Sequence, residues 1–395
     1  MLAHIILYLW ILIQILIGYN LILPLIFFFF YKAFSILKKQ PGIVKLEKDI
    51  DYAIIVTAYE QTDLIPAAVS SILRLNYSNF LVYIVADKCD ISDLHFSDER
   101  VILLRPEETL ASNTGSHFYA IGHFKREHTH LSIIDSDNLV EQEYLTELNR
   151  YFSLGFQAVQ GLRKAKNLDT NLAALDAARD LYYHFYDGKV LFKLGSSATL
   201  SGSGMGFSVS LYIDCLENKE IRGAGFDKVL QYALLERNLR IAFAEKAIIY
   251  DEKTSESDQL VKQRSRWINS WFKYFSNGFK LLKKSFINGS LNQFLFGLVL
   301  LRPPLFIFLI LSLTCLIMNI WINQFFAMLW GIAFVCFLAG FGISLLEKDT
   351  DRRIYKALFS IPQFMFLQVK SLLKIKSANK ISVATKHLHK KYQGD

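Results

Sequence analysis

Cysteine is scarce. Cys89, Cys215, Cys315 and Cys336 are scattered through 395 residues. They have neither the density of a disulfide framework nor the paired spacing of a metal site, so unpaired thiols are expected. No GxGxxG fingerprint occurs and no Walker A loop, which argues against a dinucleotide site or a P-loop. The formal net charge is +8, but the basic residues form no stripe with interleaved aromatics. Nucleic acid is therefore not an expected partner. Anionic lipid or a phosphorylated substrate suits the basic balance better. From about His4 to Tyr31 there is no Asp, Glu, Lys or Arg at all.

What is present is apolar. Hydrophobic residues make up 52% of the chain and aromatic residues 14%, which is too apolar for an ordinary soluble domain. The uncharged run at the start exceeds the roughly 20 residues that a membrane span needs. It lacks the basic start, short core and small-residue cleavage site of a signal peptide, so a retained anchor within residues 1–35 is expected. Leu305–Ile322 and Phe325–Leu346 are two further uncharged stretches, joined at Asn323 and Gln324. They read as a transmembrane hairpin over 303–346, with Pro303 and Pro304 where its first helix begins.

The basic flanks set the orientation. Lys32, Lys38, Lys39, Lys45 and Lys48 follow the first span, and Lys348, Arg352 and Arg353 follow the third. The tail, 374–395, carries six more lysines, among them Lys374 and Lys391. All agree if the residues between the first and second spans are cytoplasmic. Residues 354–373 are apolar but interrupted by Lys356, Pro362 and Lys370, so they read as an interfacial helix, with a fourth span as the alternative. The expected location is a membrane, a bacterial inner (plasma) membrane by preference.

Between the spans the texture changes. Tyr52–Thr57, Phe80–Ala86, Val101–Leu104 and Leu131–Ile134 are short apolar runs separated by helical patterns such as Ile65–Leu73. Such alternation predicts an α/β domain over 50–250 with a mostly parallel, Rossmann-like sheet. Ligands on such sheets bind beyond the carboxyl ends of the strands. Polar residues follow those ends: Tyr59 and Glu60 after the first run, Asp87 after the second, and Asp135-Ser136-Asp137 after the fourth.

Two carboxylates one residue apart suit a hard cation, Mg²⁺ or Mn²⁺, that shares its remaining positions with substrate phosphates. A solvated turn is the plainer reading of that pair by itself. In Gln263-Arg264-Ser265-Arg266-Trp267, a helical reading of Tyr250–Phe275 puts Gln263, Arg266 and Trp267 on one face. An amide, a guanidinium and an indole together suit a pyrophosphate and a sugar ring. A basic interfacial helix, with Trp267 and Trp271 at the headgroups, fits the same residues and belongs with an interfacial segment over 251–300. Ser201–Phe207 (SGSGMGF) is glycine-rich enough for close approach of a ligand to the backbone, or is a flexible loop. Asp227, in GAGFD, stands at the start of a helix predicted over Lys228–Asn238, as a helix cap or as a general base. His128, His130 and His184 read as edge or packing residues.

The order of Asp87, DSD, SGSGMGF, GAGFD, QRSRW and a membrane hairpin resembles the processive-type membrane branch of glycosyltransferase family 2. Cellulose, chitin and hyaluronan synthases belong there, and the catalytic fold is GT-A. The resemblance implies that Tyr59, Glu60 and Asp87 hold the base and ribose of a nucleotide-sugar donor. It implies that Asp135 and Asp137 form the DxD, with Asp137 holding a divalent metal on the diphosphate. Asp227 matches the catalytic base of the TED motif. Gln263, Arg266 and Trp267 match QxxRW, which contacts the diphosphate and the acceptor end. Arg163 and Lys164 fall where the family has basic residues near the donor. Gly204 and Phe207 are expected beside the acceptor.

Two departures stand out. Phe226 replaces the acid that precedes the base, and Leu110–Tyr119 lacks the lysine-rich GKxxALN pattern. The implied function is inverting hexosyl transfer from a nucleotide sugar, UDP by default, to a growing polysaccharide or glycan. Transfer of one sugar to a lipid acceptor, as in ceramide glucosyltransferases, is the alternative; an inactive nucleotide-sugar-binding or scaffold protein is a further one. Three spans are few for a pore, so a homo-oligomer or a partner subunit is an expected partner.

Overall fold

A computed structural model describes residues 2–37, 50–219, 221, 223–346 and 350–375. The flanking lysines Lys38, Lys39, Lys45, Lys48 and Lys348, and the tail from residue 376, lie outside the described residues.

Eight strands form one mixed sheet: β1 Tyr52–Tyr59, β2 Phe80–Asp87, β3 Val101–Leu104, β4 His130–Asp135, β5 Leu139–Val140, β6 Ala158–Ala165, β7 Met205–Ser208 and β8 Ala242–Asp251. Their order is β3-β2-β1-β4-β7-β6-β8-β5. The pairs β1–β2, β1–β4, β2–β3 and β6–β8 are parallel. The pairs β4–β7, β6–β7 and β5–β8 are antiparallel. The four expected runs are the parallel half, and β1 and β2 are buried almost throughout, as runs of Val, Ile and Ala in a covered parallel sheet must be. The expected α/β architecture with a mostly parallel sheet is the observed one.

The antiparallel half corrects two expectations. The SGSGMGF segment is not a loop throughout, because Met205–Ser208 is the central strand β7. The helical reading of Tyr250–Phe275 begins too early: Tyr250 and Asp251 end β8, and the helix is Ser257–Tyr274.

Among the described residues three helices are long and apolar enough to cross a membrane, over His4–Ile36, Leu305–Ile322 and Gln324–Leu346. The hairpin turns on Asn323, whose Oδ1 accepts the Phe325 and Phe326 N–H groups as an N-cap. A polar node joins all three helices. Gln14 Oε1 accepts from Asn319 Nδ2 at 2.6 Å and from Trp330 Nε1 at 2.8 Å. Residues 354–373 fold as Arg352–Ala357, a 3₁₀ turn at Leu358–Ser360 and Ile361–Leu373.

The sheet domain grips this bundle. Helix Asn171–Tyr183 runs on into a π-helical segment, His184–Val190. From there Tyr186 Oη donates to the Gly340 carbonyl at 2.8 Å, and Asp187 forms a buried ion pair with Arg302, directly before Pro303.

Candidate active site

The fourth strand delivers Asp135 at its carboxyl end, where the chain turns. Asn138 N–H donates to Asp135 O at 3.0 Å to close the turn. Ser203 ties it down: its Oγ accepts the Asp135 N–H at 3.0 Å and donates to Asn138 Oδ1 at 2.6 Å. From the other side Lys166 Nζ donates to the Asp137 carbonyl at 2.6 Å. Burial, and then the neighbouring Asp137 charge, push the Asp135 carboxyl up to about 7. Among the described residues no three His, Cys, Asp or Glu side chains gather as a complete metal cage. Two adjacent carboxylates do fit a cation whose other positions belong to substrate phosphates and water.

The Leu200–Gly204 segment links this turn to the other motifs. Ser201 O accepts from Arg163 Nη1 at 2.5 Å, while Arg163 Nη2 pairs with Asp251 at the end of β8. Leu200 O accepts from Lys228 Nζ at 3.2 Å, and Leu200 N–H donates to Gln231 Oε1 at 3.2 Å. Both partners lie on helix Phe226–Glu236, whose first turn holds Asp227, and Lys228 pairs with Asp227 at 3.2 Å. The cap of that helix, Gly225, has φ +110°, and a Cβ there would stand 2.8 Å from the Tyr274 ring. Only glycine allows that turn to press against helix Ser257–Tyr274. Ser270 Oγ completes the contact, with the Ala224 carbonyl at 3.4 Å and the Arg266 carbonyl at 3.0 Å. Residues up to 135 positions apart in the chain, from Asp135 to Ser270, thus form one connected cluster.

Phe226 has a physical explanation. Its ring lies edge-on to His117, with centroids 5.1 Å apart, and His117 Nδ1 shares a 2.7 Å hydrogen bond with Tyr212 Oη. Burial pushes the His117 imidazole down to about 3. The position preceding Asp227 faces core, where a carboxylate would lack a partner.

Several expected contacts are placed differently. Asp87 is 1% exposed, and its two oxygens accept the Leu110 N–H at 3.0 Å and the Ala111 N–H at 2.7 Å. Its carboxylate holds the loop that lacks the lysine-rich pattern and does not stand open. Glu60 and Lys88 both adopt left-handed backbone, and they pair at 2.7 Å beside Tyr59. Phe207 is a correction: its ring is fully buried on Tyr212, 5.5 Å between centroids, because β7 is a central strand covered on both faces. Gly204 is buried as well, and a Cβ on it would meet Ile249 at 2.8 Å, so packing accounts for this glycine. Lys164 is exposed on β6, whereas Arg163 is drawn inward. Gln263 Oε1 accepts from Thr254 Oγ1 at 3.4 Å. Burial lowers the Arg266 guanidinium, and Trp267 remains 40% exposed.

A chain of buried charges escaped the sequence reading. Asp251 accepts from Lys253 at 2.8 Å, and Lys253 reaches Asp180 at 2.5 Å. Asp180 pairs with Arg179 at 2.5 Å, Arg179 lies 3.3 Å from Asp176, and Asp176 pairs with Arg264. The series runs from Arg163, beside the DSD turn, to the QRSRW helix. Burial opposes ionisation of Asp180, but Lys253 and Arg179 outweigh it and hold that carboxyl below its usual range. One signal was available: Asp176, Arg179 and Asp180 stand at i, i+3 and i+4 in an otherwise Ala- and Leu-rich helix.

A family model described as "Glycosyltransferase like family 2" matches residues 50–270, more than half of the chain. No curated protein matches. Among solved structures, the mannosyltransferase PcManGT from Pyrobaculum calidifontis, in complex with GDP-Man and Mn²⁺, is similar with a TM-score of 0.54 at 14% identity. The match covers 90% of this chain and 94% of that one. S. aureus TarS matches with a TM-score of 0.39 at 16% identity, over 59% of this chain and 40% of that one. TarS 1-349 in complex with UDP matches at 0.38 and 14%, over 59% and 66%. The chain belongs to the family 2 glycosyltransferases.

Proposed function

We propose, with membership of that family as the premise, that the protein is an inverting transferase moving a sugar from a nucleotide-sugar donor to a glycan acceptor at a membrane. The observation that carries this reading is a chain of contacts: the DSD turn and Lys228, the neighbour of Asp227, both bond the Leu200–Gly204 segment, and the turn before Asp227 packs on the QRSRW helix through Ser270 and Ala224. A general base, an anion-stabilising arginine and a carboxylate pair in one cluster are the parts that glycosyl transfer requires.

In this reading Asp227 takes the proton of an acceptor hydroxyl. That oxygen attacks the anomeric carbon as the bond from carbon to the phosphate oxygen breaks, and the configuration inverts. The nucleoside diphosphate leaves, its charge met by Arg266. Asp135 and Asp137 would hold a divalent cation, which when bound supplies further neutralisation of the leaving diphosphate. Tyr59, Glu60, Arg163, Lys164 and Gln263 would contact the donor, and Trp267 the acceptor. Asp87 would act on the donor through the loop it clamps. Gly204 is assigned to the fold of the site, not to acceptor contact.

The chain divides, on this view, into a cytoplasmic catalytic domain over 50–250 and interfacial helices over 251–300. A membrane anchor and a hairpin flank them. The processive branch is the first reading of the acceptor. Transfer of a single sugar to a lipid is the second, favoured by the presence of only three spanning helices among the described residues.

The test is nucleoside diphosphate release from a panel of UDP- and GDP-sugars, by protein in membranes with lipid extract as acceptor. Metal-dependent release with one donor is expected, abolished by EDTA, restored by Mn²⁺ or Mg²⁺, and reduced about 100-fold or more in Asp227→Asn. Failure with every donor would overturn the proposal. Product length separates the two readings: a ladder for the processive one, a one-sugar glycolipid for the other.

A further inference from the structure

Trp267 is 40% exposed, yet its indole is gripped from inside the protein. The Arg264 guanidinium lies 4.1 Å from its ring centroid and the Arg179 guanidinium 4.7 Å. Arg264 is itself 2% exposed and paired with Asp176. Arg179 is pinned by Asp180 at 2.5 Å and by Asp176 at 3.3 Å. Both cations are therefore fixed before they meet the ring.

The stack continues toward the membrane. Arg179 also lies 5.8 Å from the Tyr183 centroid, and Arg302 lies 5.5 Å from the same ring. Arg302 immediately precedes the Pro-Pro start of the hairpin. Guanidinium and aromatic groups thus alternate from Arg264 through Trp267, Arg179 and Tyr183 to Arg302.

Three donors in this stack are unusual. Arg179 Nε, Arg264 Nε and Arg264 Nη1 are buried and meet no hydrogen-bond acceptor among the described residues. A buried N–H without an acceptor calls for a reason. Lying over a π face is one, because the ring attracts the cation without an oxygen partner. A flat guanidinium does this where an ammonium cannot match the plane.

We infer that Arg179 is a positioning residue, holding the Trp267 indole as a rigid stacking platform for the acceptor and in register with the membrane hairpin. The inference rests on the proposed reading of Trp267 as the acceptor contact. An aromatic ring fixed in advance loses little further freedom when a ligand stacks on its open part.

The experiment uses full-length protein in lipid nanodiscs with the donor that the panel identifies, and total membrane lipid extract of the expression host as the titrated acceptor probe. Four variants are compared: Trp267→Ala, Arg179→Lys, the two combined, and Tyr183→Leu. Arg179→Lys keeps the charge between Asp176 and Asp180 and loses only the plane. It is expected to raise the half-saturating amount of extract about fivefold. Donor KM and donor hydrolysis without extract are expected to stay within about twofold. Trp267→Ala is expected to raise acceptor half-saturation at least as much, and the combined variant no further, since both act through one ring. Tyr183→Leu, which removes no charge, is expected to shift acceptor half-saturation in the same direction and gives a reading if Arg179→Lys does not fold.

A combined variant that adds the two effects would overturn the inference. So would a loss of donor hydrolysis as large as the acceptor shift in an Arg179→Lys protein whose unfolding temperature is unchanged. If Trp267→Ala shifts the acceptor and neither Arg179→Lys nor Tyr183→Leu does, this inference alone fails. If Trp267→Ala leaves acceptor saturation unchanged, the reading of Trp267 beneath it fails too.

Discussion

Asp87 Oδ2 accepts the backbone N–H of Ala111 at 2.7 Å, and through that bond the end of one strand holds a loop 24 residues further on. Ala111 has φ +47°, a left-handed backbone that a residue with a Cβ adopts only under constraint. Asp87→Asn would keep the shape but turn an amide donor toward one of the two N–H groups. The expected loss is about 1–3 kcal/mol of stability, with faster amide exchange at Leu110 and Ala111. Hydrogen exchange resolved by mass spectrometry, beside thermal unfolding in detergent, checks this.

The junction between sheet domain and apolar hairpin contains a buried ion pair, Asp187 with Arg302. Removing one member leaves the other charge desolvated and unpaired. Arg302→Leu is expected to cost about 3–5 kcal/mol, and the double change Asp187→Leu with Arg302→Leu distinctly less. Unfolding temperatures of the single and double variants decide it. A double variant as unstable as the single would show that the pair is not what holds the junction.

Gly204→Ala separates a packing role from a ligand role. Gly204 has φ +66°, and the new Cβ would lie 2.8 Å from Ile249. A cost of about 1–3 kcal/mol is expected from strain and overpacking together. Because the position faces core, the folded fraction should keep its donor KM and acceptor saturation. A normal unfolding temperature with a raised acceptor requirement would restore Gly204 to the acceptor contacts.

Acid sensitivity is expected from His117. Burial holds its folded-state pKa near about 3, below the value of about 6.5 in an unfolded chain. Below pH 6.5 the unfolded chain therefore binds a proton that the native state refuses. Stability must fall as pH drops from there toward 3, and this one residue costs about 2 kcal/mol between pH 7 and pH 5. His117→Gln, which can still bond Tyr212 Oη, should show a smaller drop in unfolding temperature over that interval. An equal drop in both proteins would place the sensitivity elsewhere.

Much of this was written locally. The uncharged runs gave the hairpin bounds Leu305–Ile322 and, within one residue, Gln324–Leu346. The buried runs gave β1 to β4 within two residues of their ends. The second half of the sheet was not legible. In β6, Gln160 interrupts the apolar pattern, and it is tolerated at 1% exposure only because its amide bonds Ser203 O at 3.2 Å and Ser201 N at 2.9 Å. In β8, Glu245 and Lys246 fall where the pairing with β6 shifts register, between Gly161 and Leu162. Polar residues at such irregularities look like loop to any pattern based on period.

The sequence by itself determined the long apolar helices, the parallel strands and the order of the carboxylate, glycine and QRSRW motifs. Each depends on the run of residue types along the chain, and apolar burial accumulates over neighbours. Only the tertiary structure decided which polar groups are consumed inside. Asp87 is taken by a backbone loop and Arg264 by Asp176 across 88 positions, while Trp267 keeps an open part. A hydrogen bond or ion pair is set by two groups meeting in space at fixed angles, and one-dimensional order carries no record of that meeting.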